Sequence, residues 1–274
     1  MSEEWERLQE TLKKRRIPTD SCSFSVPAVS ACSSDVETCP LVGRGADPHD
    51  SSFQGLNYIA GLDVSFFEGT NEAVACVVVF QVPGLVKVYT KCRKVTLTEP
   101  YIPGFLAFRE SPILLSLLEE LKQEHEEWYP QVVFVDGNGT LHPRQFGLAC
   151  HVGVLAGVPS IGIAKNFLQI ESEGLLLCDM KDIARKRLDG AGKWLRIIGS
   201  SGYVFGAALR SSQESINPIF VSPGHMISLT TAVNLVAWCC KYRVPEPIRA
   251  ADFESREIIR SVERDARMAL ELKG

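Results

Sequence analysis

Three carboxylates stand where the surrounding pattern of residues is apolar. In "YIAGLDVSFF", period-two alternation puts Tyr58, Ala60, Leu62, Val64 and Phe66 on one face of a strand and Ile59, Gly61, Asp63, Ser65 and Phe67 on the other. Both faces are largely apolar, so an ionised Asp63 is costly unless it is hydrogen-bonded, paired or bound to a cation. Asp136 ends "VVFVD" and is followed at once by Gly-Asn-Gly, which places it at a carboxyl end, where open α/β sheets bind ligands. Glu110 has Ile113, Leu114, Leu117, Leu118 and Leu121 at i+3, i+4, i+7, i+8 and i+11, so it shares the apolar face of its helix. Taken singly, each has an ordinary explanation: a salt-bridged Asp, a turn Asp before Gly, a first-turn Glu favoured by the helix dipole. Together they offer the oxygen ligands that hard cations choose. Two Mg²⁺ ions about 4 Å apart can activate a water and stabilise the leaving oxygen of a phosphodiester.

Positioning these acids requires a sheet and a helix, and the chain supplies them in a readable order. Three strand-like runs, "YIAGLDVSFF", "AVACVVVFQV" and "VKVYTKCRKVTL", are separated by "EGTNE" and "PGL", which predicts an antiparallel meander. A helix from "FRESPILLSLLEELKQEH", the strand "PQVVFVDGNG", a helix from "RQFGLACHVGVLAGV" and the strand "PSIGIAK" follow. Fully apolar strands flanked by helices belong at the centre of a sheet covered on both faces. The order β-β-β-α-β-α-β is that of the ribonuclease H-like fold, so the expectation is an α/β domain with a mixed sheet and helices on both faces. "GYVFGAALR" and "PIFVSPGH" add strands, and "ISLTTAVNLVAWCCKY" and "SREIIRSVERDARMALE" add helices. Ahead of this core, Trp5, Leu8 and Leu12 predict an N-terminal helix within residues 1–18. Residues 19–53 are rich in Ser, Cys and Pro without periodicity and read as a flexible insertion before an α/β domain at 54–274.

Composition narrows the class without naming it. The 274 residues are 45% hydrophobic, enough for a full core, and the formal charge of −4 excludes a general polyanion binder. Any nucleic acid would have to be held by a local basic patch; the densest basic stretch, "MKDIARKRLDGAGKWLR", carries Lys181, Arg185, Lys186, Arg187, Lys193 and Arg196. Nine scattered cysteines without a Cys-x-x-Cys favour neither a disulfide framework nor a zinc site. With no apolar run of membrane length and no secretory pattern, the expected location is cytoplasm, nucleus or both, without membrane association. A dinucleotide-binding oxidoreductase is set aside because "GNGTLH" has His142 where the last glycine of the phosphate-binding turn should stand.

The segments "GLDVSF", "PYIPGFLAFRE", "VDGNGTLHPRQFGLACHVGVLAGVPSIGIAK" and "SPGHMISL" resemble, in order and spacing, the signature segments of the endonuclease V family. The resemblance covers residues 54 to about 256. It implies metal-dependent hydrolysis of the second phosphodiester on the 3′ side of inosine, in DNA or single-stranded RNA. Asp63, Glu110 and Asp136 would be the metal-binding acids, with Mg²⁺ as cofactor and Mn²⁺ as the alternative. His225 would be a catalytic histidine beside the metal, where a neutral imidazole could orient or deprotonate a bound water. "PYIP" resembles a wedge that separates bases, presenting Tyr101 next to Pro103 for stacking. Leu106, Gly137, Gly147 and Leu168 would line a pocket for the flipped hypoxanthine. His142 and Lys165 would lie beside the scissile phosphate and the strand. The implied partner is inosine-containing RNA or DNA bound by a monomer. The competing expectation is a non-catalytic reader on the same fold, against which stands the presence of all three acids and His225.

Overall fold

The computed structural model describes residues 2–27 and 36–271. Among the described residues, nine strands run in chain order: β1 (Val36–Thr38), β2 (Tyr58–Phe66), β3 (Glu72–Gln81), β4 (Val86–Thr96), β5 (Val132–Asp136), β6 (Ser160–Ala164), β7 (Lys193–Ile198), β8 (Val204–Leu209) and β9 (Ile219–His225). Six α-helices accompany them: α1 (Ser2–Lys13), α2 (Leu106–Glu124), α3 (Leu148–Ala156), α4 (Leu177–Arg187), α5 (Leu229–Trp238) and α6 (Glu246–Glu271). All the strands join one sheet in the order β1-β7-β8-β9-β6-β5-β2-β3-β4. The expected meander is present as β2-β3-β4, antiparallel throughout. β2, β5 and β6 run parallel at the centre, and β9, β8, β7 and β1 extend the sheet antiparallel.

Alternation along the central strands feeds two cores, one on each face of the sheet. Ile59, Val132, Phe134, Ile161 and Ile163 pack under α5 and the start of α6. Ala60, Leu62, Val133 and Val135 pack under α2 and α3. A third cluster, with Leu195, Ile197, Phe205 and Phe220, lies under α4. The mixed sheet covered on both faces is therefore as expected, and the reason is that the strands are apolar on both sides.

One close approach decides where α6 sits. A Cβ on Gly61 would lie 1.9 Å from the Pro247 carbonyl oxygen, so only glycine at this position of β2 lets the first turn of α6 rest on the strand. The helix opens with Glu246-Pro247 and runs on as one element, a first-turn proline being compatible with helix geometry. The expected C-terminal helix, read from Ser255, therefore begins nine residues too late; the stretch around Asp252 is helical.

The expectation of a flexible insertion over 19–53 does not hold for residues 19–27 and 36–53. β1 pairs with β7, and Phe24, Cys39, Leu41 and Phe53 are buried in the core under α5. Asp50 accepts the Trp238 indole N–H at 2.8 Å and pairs with Arg44 at 2.8 Å. Those apolar residues lack regular spacing because the segment wraps the core as loop, so composition misleads there. Residues 28–35 of the same stretch lie outside the described residues. The N-terminal helix forms as α1, but its inward stripe is Trp5, Gln9 and Leu12, while Leu8 is exposed. Among the described residues, no helix is long and apolar enough to cross a membrane.

Candidate active site

The parallel register of β2 and β5 pairs Leu62 with Val135, so the next residue of each strand, Asp63 and Asp136, stands side by side at the carboxyl edge. Gly61 lets α6 approach from above, and α6 delivers Asp252. Carboxylate oxygens of Asp63, Asp136 and Asp252 lie within 4.8 Å of one another. Glu110, on the first turns of α2, lines the same cavity of about 470 Å³ with Lys165, Arg256 and Arg260. Glu110 does point inward, as its place on the apolar face required, and is buried.

Hydrogen bonds hold the acids in place and leave them crowded. Asp63 Oδ2 accepts the hydroxyls of Ser65 at 2.9 Å and Ser255 at 2.7 Å. Lys165 Nζ lies 2.7 Å from Asp136 and 3.1 Å from Asp252, and Arg256 Nε donates to Asp252 at 2.8 Å. Burial, then the charge of Asp136, pushes the Asp63 carboxyl up to about 7, against the two serine hydroxyls that favour its ionised form. Burial and the charges of Asp63 and Asp136 push Glu110 up to about 8. Burial works against the Lys165 ammonium, but Asp136 and Asp252 outweigh it and hold its pKa above the ordinary range. The neighbouring charges that raise Asp63 and Glu110 would be relieved by a cation among the acids. The donor set is all oxygen, which fits a hard divalent metal.

A second cavity, of about 160 Å³, opens beside the acids and shares Leu106 with them. Its lining brings together Tyr101, Pro103, Leu106, Gly137, His142, Gly147 and Leu168, all of the expected substrate residues except Lys165, which faces the acids. The loop that carries Gly137 folds tightly over α3: a Cβ on Gly147 would lie 2.4 Å from the Asn138 carbonyl oxygen. Tyr101 is 68% exposed at the cavity rim, free to meet a ligand. Gln9 also lines the cavity; it donates to the Phe146 carbonyl at 2.6 Å and accepts from Arg144 Nε. Arg144 in turn donates to the Gly104 carbonyl and lies over the Phe105 ring at 4.0 Å, which fixes the loop bearing Tyr101.

The expected role of His225 needs correction. β9 runs antiparallel to β6, so His225 pairs with Ser160 at the end of the sheet opposite the acids, whereas Phe220 pairs with Ala164 near them. His225 Nδ1 accepts the Ile17 N–H at 3.1 Å; it fastens the segment after α1 and stands away from the clustered acids. Its pKa is lowered by burial and the nearby Arg16. His142 sits in the wall of the second cavity, donating from Nε2 to the Gly104 carbonyl at 3.1 Å and accepting the Arg144 N–H at 3.2 Å. Burial, then Arg144, brings it down to about 4, which favours the neutral imidazole in the cavity wall. The basic stretch is also divided: Lys181, Arg185, Lys186 and Arg187 belong to α4, Lys193 and Arg196 to β7, and Arg196 pairs with Glu37 at 2.6 Å.

Asp252 is the residue that sequence reasoning missed. The signal was present: Ile248, Ala251, Ser255 and Ile259 surround it at helical spacing, the same inward placement that singled out Glu110. A helix read only from Ser255 onward leaves Asp252 outside that pattern.

A family model described as Endonuclease V matches residues 45–253. The mouse protein named Endonuclease V is 49% identical over 213 residues, 77% of this chain, which spans 62% of the length of that relative. Its human counterpart is 46% identical over 212 residues, 77% of this chain and 74% of its own. The crystal structure of the human protein superposes with a TM-score of 0.81 at 40% identity, covering 96% of this chain and 100% of that one. A Ciona intestinalis Endonuclease V, solved with a 24mer DNA containing an inosine followed by a ribo-adenosine, gives a TM-score of 0.78 at 32% identity, over 94% of this chain and 98% of that one.

Proposed function

This chain belongs to the Endonuclease V family, and from that premise we propose that it is a metal-dependent endonuclease that cuts the second phosphodiester 3′ to inosine in single-stranded RNA or DNA. The observation that carries the reading is the adjacency of two cavities, one lined by acids and one by the loop-bound glycines, sharing Leu106. A base held in the second cavity keeps its own strand close to the first, so recognition and hydrolysis are coupled by distance.

Asp63, Asp136 and Asp252 would hold Mg²⁺, or Mn²⁺ in its place, with Glu110 at the margin of the same cavity. When bound, such an ion supplies an activated water and stabilises the charge developing on the leaving oxygen. Ser65 and Ser255 keep one oxygen of Asp63 occupied, so the other would be the one to hold a cation. Lys165 holds Asp136 and Asp252 in place and adds positive charge where the phosphate must lie. Tyr101, at the rim, stacks in the gap left by the withdrawn base. The backbone around Gly137 and Gly147 reads hypoxanthine, whose acceptor oxygen and N1 hydrogen differ from adenine; a wrong base leaves buried polar groups unpaired.

The test is cleavage of four labelled strands, single-stranded DNA and RNA with adenosine or inosine at one position, in Mg²⁺, in Mn²⁺ and in EDTA. The expected result is metal-dependent cutting one bond beyond the inosine's own 3′ linkage, with the RNA-to-DNA ratio naming the substrate. Cutting without regard to inosine, or undiminished in EDTA, overturns the reading.

A further inference from the structure

A third cavity, of about 160 Å³, adjoins the acids at Lys165. It is lined by Lys165, Asn166, Phe167, Lys181, Asn217, Pro218, Phe220 and Arg243. Lys165 is common to it and to the acid cavity. Its lining contains no carboxylate, on a chain whose formal charge is −4.

Two cations of this cavity have no counter-ion. Arg243 donates from Nη2 to the carbonyls of Lys165 at 2.5 Å and Pro218 at 2.9 Å, and from Nε to that of Asn217 at 3.2 Å. It is half-buried, and burial lowers its pKa. Among the described residues no carboxylate pairs with it. Lys181, exposed on α4, has no hydrogen-bond or ionic partner among the described residues. The ammonium of Lys165, by contrast, is turned to Asp136 and Asp252. A guanidinium kept partly out of water with only carbonyls to bond is an unbalanced positive charge. Asn166 and Asn217 also line it, and the Phe167 and Phe220 rings, 5.1 Å apart, add apolar surface.

We propose that this cavity is a phosphate subsite, in which Lys181 and Arg243 hold a phosphodiester of the substrate strand on the 3′ side of the cut. The inference rests on the reading under Proposed function. The base cavity meets the acids at Leu106 and this cavity meets them at Lys165, so a strand with its base in the first and its scissile bond among the acids continues into the third. Because the bond cut lies 3′ to the recognised base, the segment that continues is the 3′ one. Arg243 also grips the Lys165 carbonyl, so the subsite and the acid cavity share a rigid backbone element.

Lys181→Ala is the suitable variant, since its side chain supports no other group, whereas Arg243 holds three carbonyls and its loss would disturb the fold. Wild type and variant are compared on inosine strands that end one, two, three or six nucleotides beyond the cut, and on a matching series shortened on the 5′ side. In wild type, KM should drop as the 3′ segment lengthens past the phosphate that reaches the cavity, with little change in kcat. In the variant that drop should be lost. The dependence of log affinity on log salt should be shallower in the variant by about 0.7 for one lost contact on a single strand, or about threefold in affinity between 50 and 200 mM salt. The same length dependence and salt slope in both proteins overturns the subsite, as does a loss confined to the 5′ series. Absence of inosine-specific cutting by wild type on every strand would instead remove the underlying activity, so the two failures are told apart.

Discussion

Asp63→Asn should stabilise the metal-free protein while abolishing cleavage. The Asp63 carboxyl is pushed from 3.8 to about 7 in the folded chain, chiefly by burial and by Asp136. A folded pKa above the unfolded one means that the folded state keeps its proton longer. The chain is then unpenalised below about pH 4, loses stability as pH rises through the window from 3.8 to about 7, and bears the full penalty at pH 8. At about 1.4 kcal/mol per pH unit, that penalty is about 4 kcal/mol. Asparagine copies the neutral acid: its amide oxygen can still accept from Ser65 and Ser255, and its NH₂ faces Asp136. If relaxation of the site returns about half, the variant gains ~2 kcal/mol at pH 8, which for a domain of this size is about 4–8 °C in Tm. Thermal unfolding in EDTA across pH 4 to 8 measures it. The variant and wild type should coincide near pH 4 and diverge as pH rises. Added Mg²⁺ should raise the wild-type Tm and leave the variant almost unmoved. A variant that unfolds no later than wild type at pH 8, or a difference that ignores pH, would refute the claim that the acids repel one another in wait for a cation.

Other outcomes follow from the same geometry. Asp252→Asn should lower cleavage by about 100-fold or more with inosine binding retained, measured by turnover beside a filter-binding assay; normal turnover would remove Asp252 from the site. Gly61→Ala should cost about 1–3 kcal/mol in denaturant unfolding and reduce cleavage as well, because the new methyl meets the Pro247 carbonyl and displaces Asp252 and Ser255 together. If α6 tolerated it, both readouts would be unchanged. Tyr101→Ala should leave Tm alone, the ring being exposed, and weaken binding of inosine strands by about 1–3 kcal/mol; unaltered affinity would dispose of its stacking role.

Local pattern alone revealed the acids that lie on regular elements. Asp63 and Asp136 were legible because a charge in an apolar strand has few explanations, and Glu110 because helical spacing gives direction. The central sheet was legible for the same reason: apolar runs with turns between them have one stable arrangement. What failed was whatever depended on boundaries or on long-range register. Starting the last helix at Ser255 hid Asp252, and only the fit of Pro247 onto Gly61 shows that α6 begins earlier and brings that acid to the others. His225 stood in a suggestive motif, yet the antiparallel course of β9 carries it to the far end of the sheet, a consequence of strand direction that no local spacing encodes. The buried residues of 36–53 lack periodicity because loops bury side chains one at a time. The sequence by itself determined which residues could do the chemistry, since residue type and face are local properties. Only the tertiary structure decided which of them meet, because strand order, strand direction and one helix-to-glycine contact set distances between residues far apart in the chain.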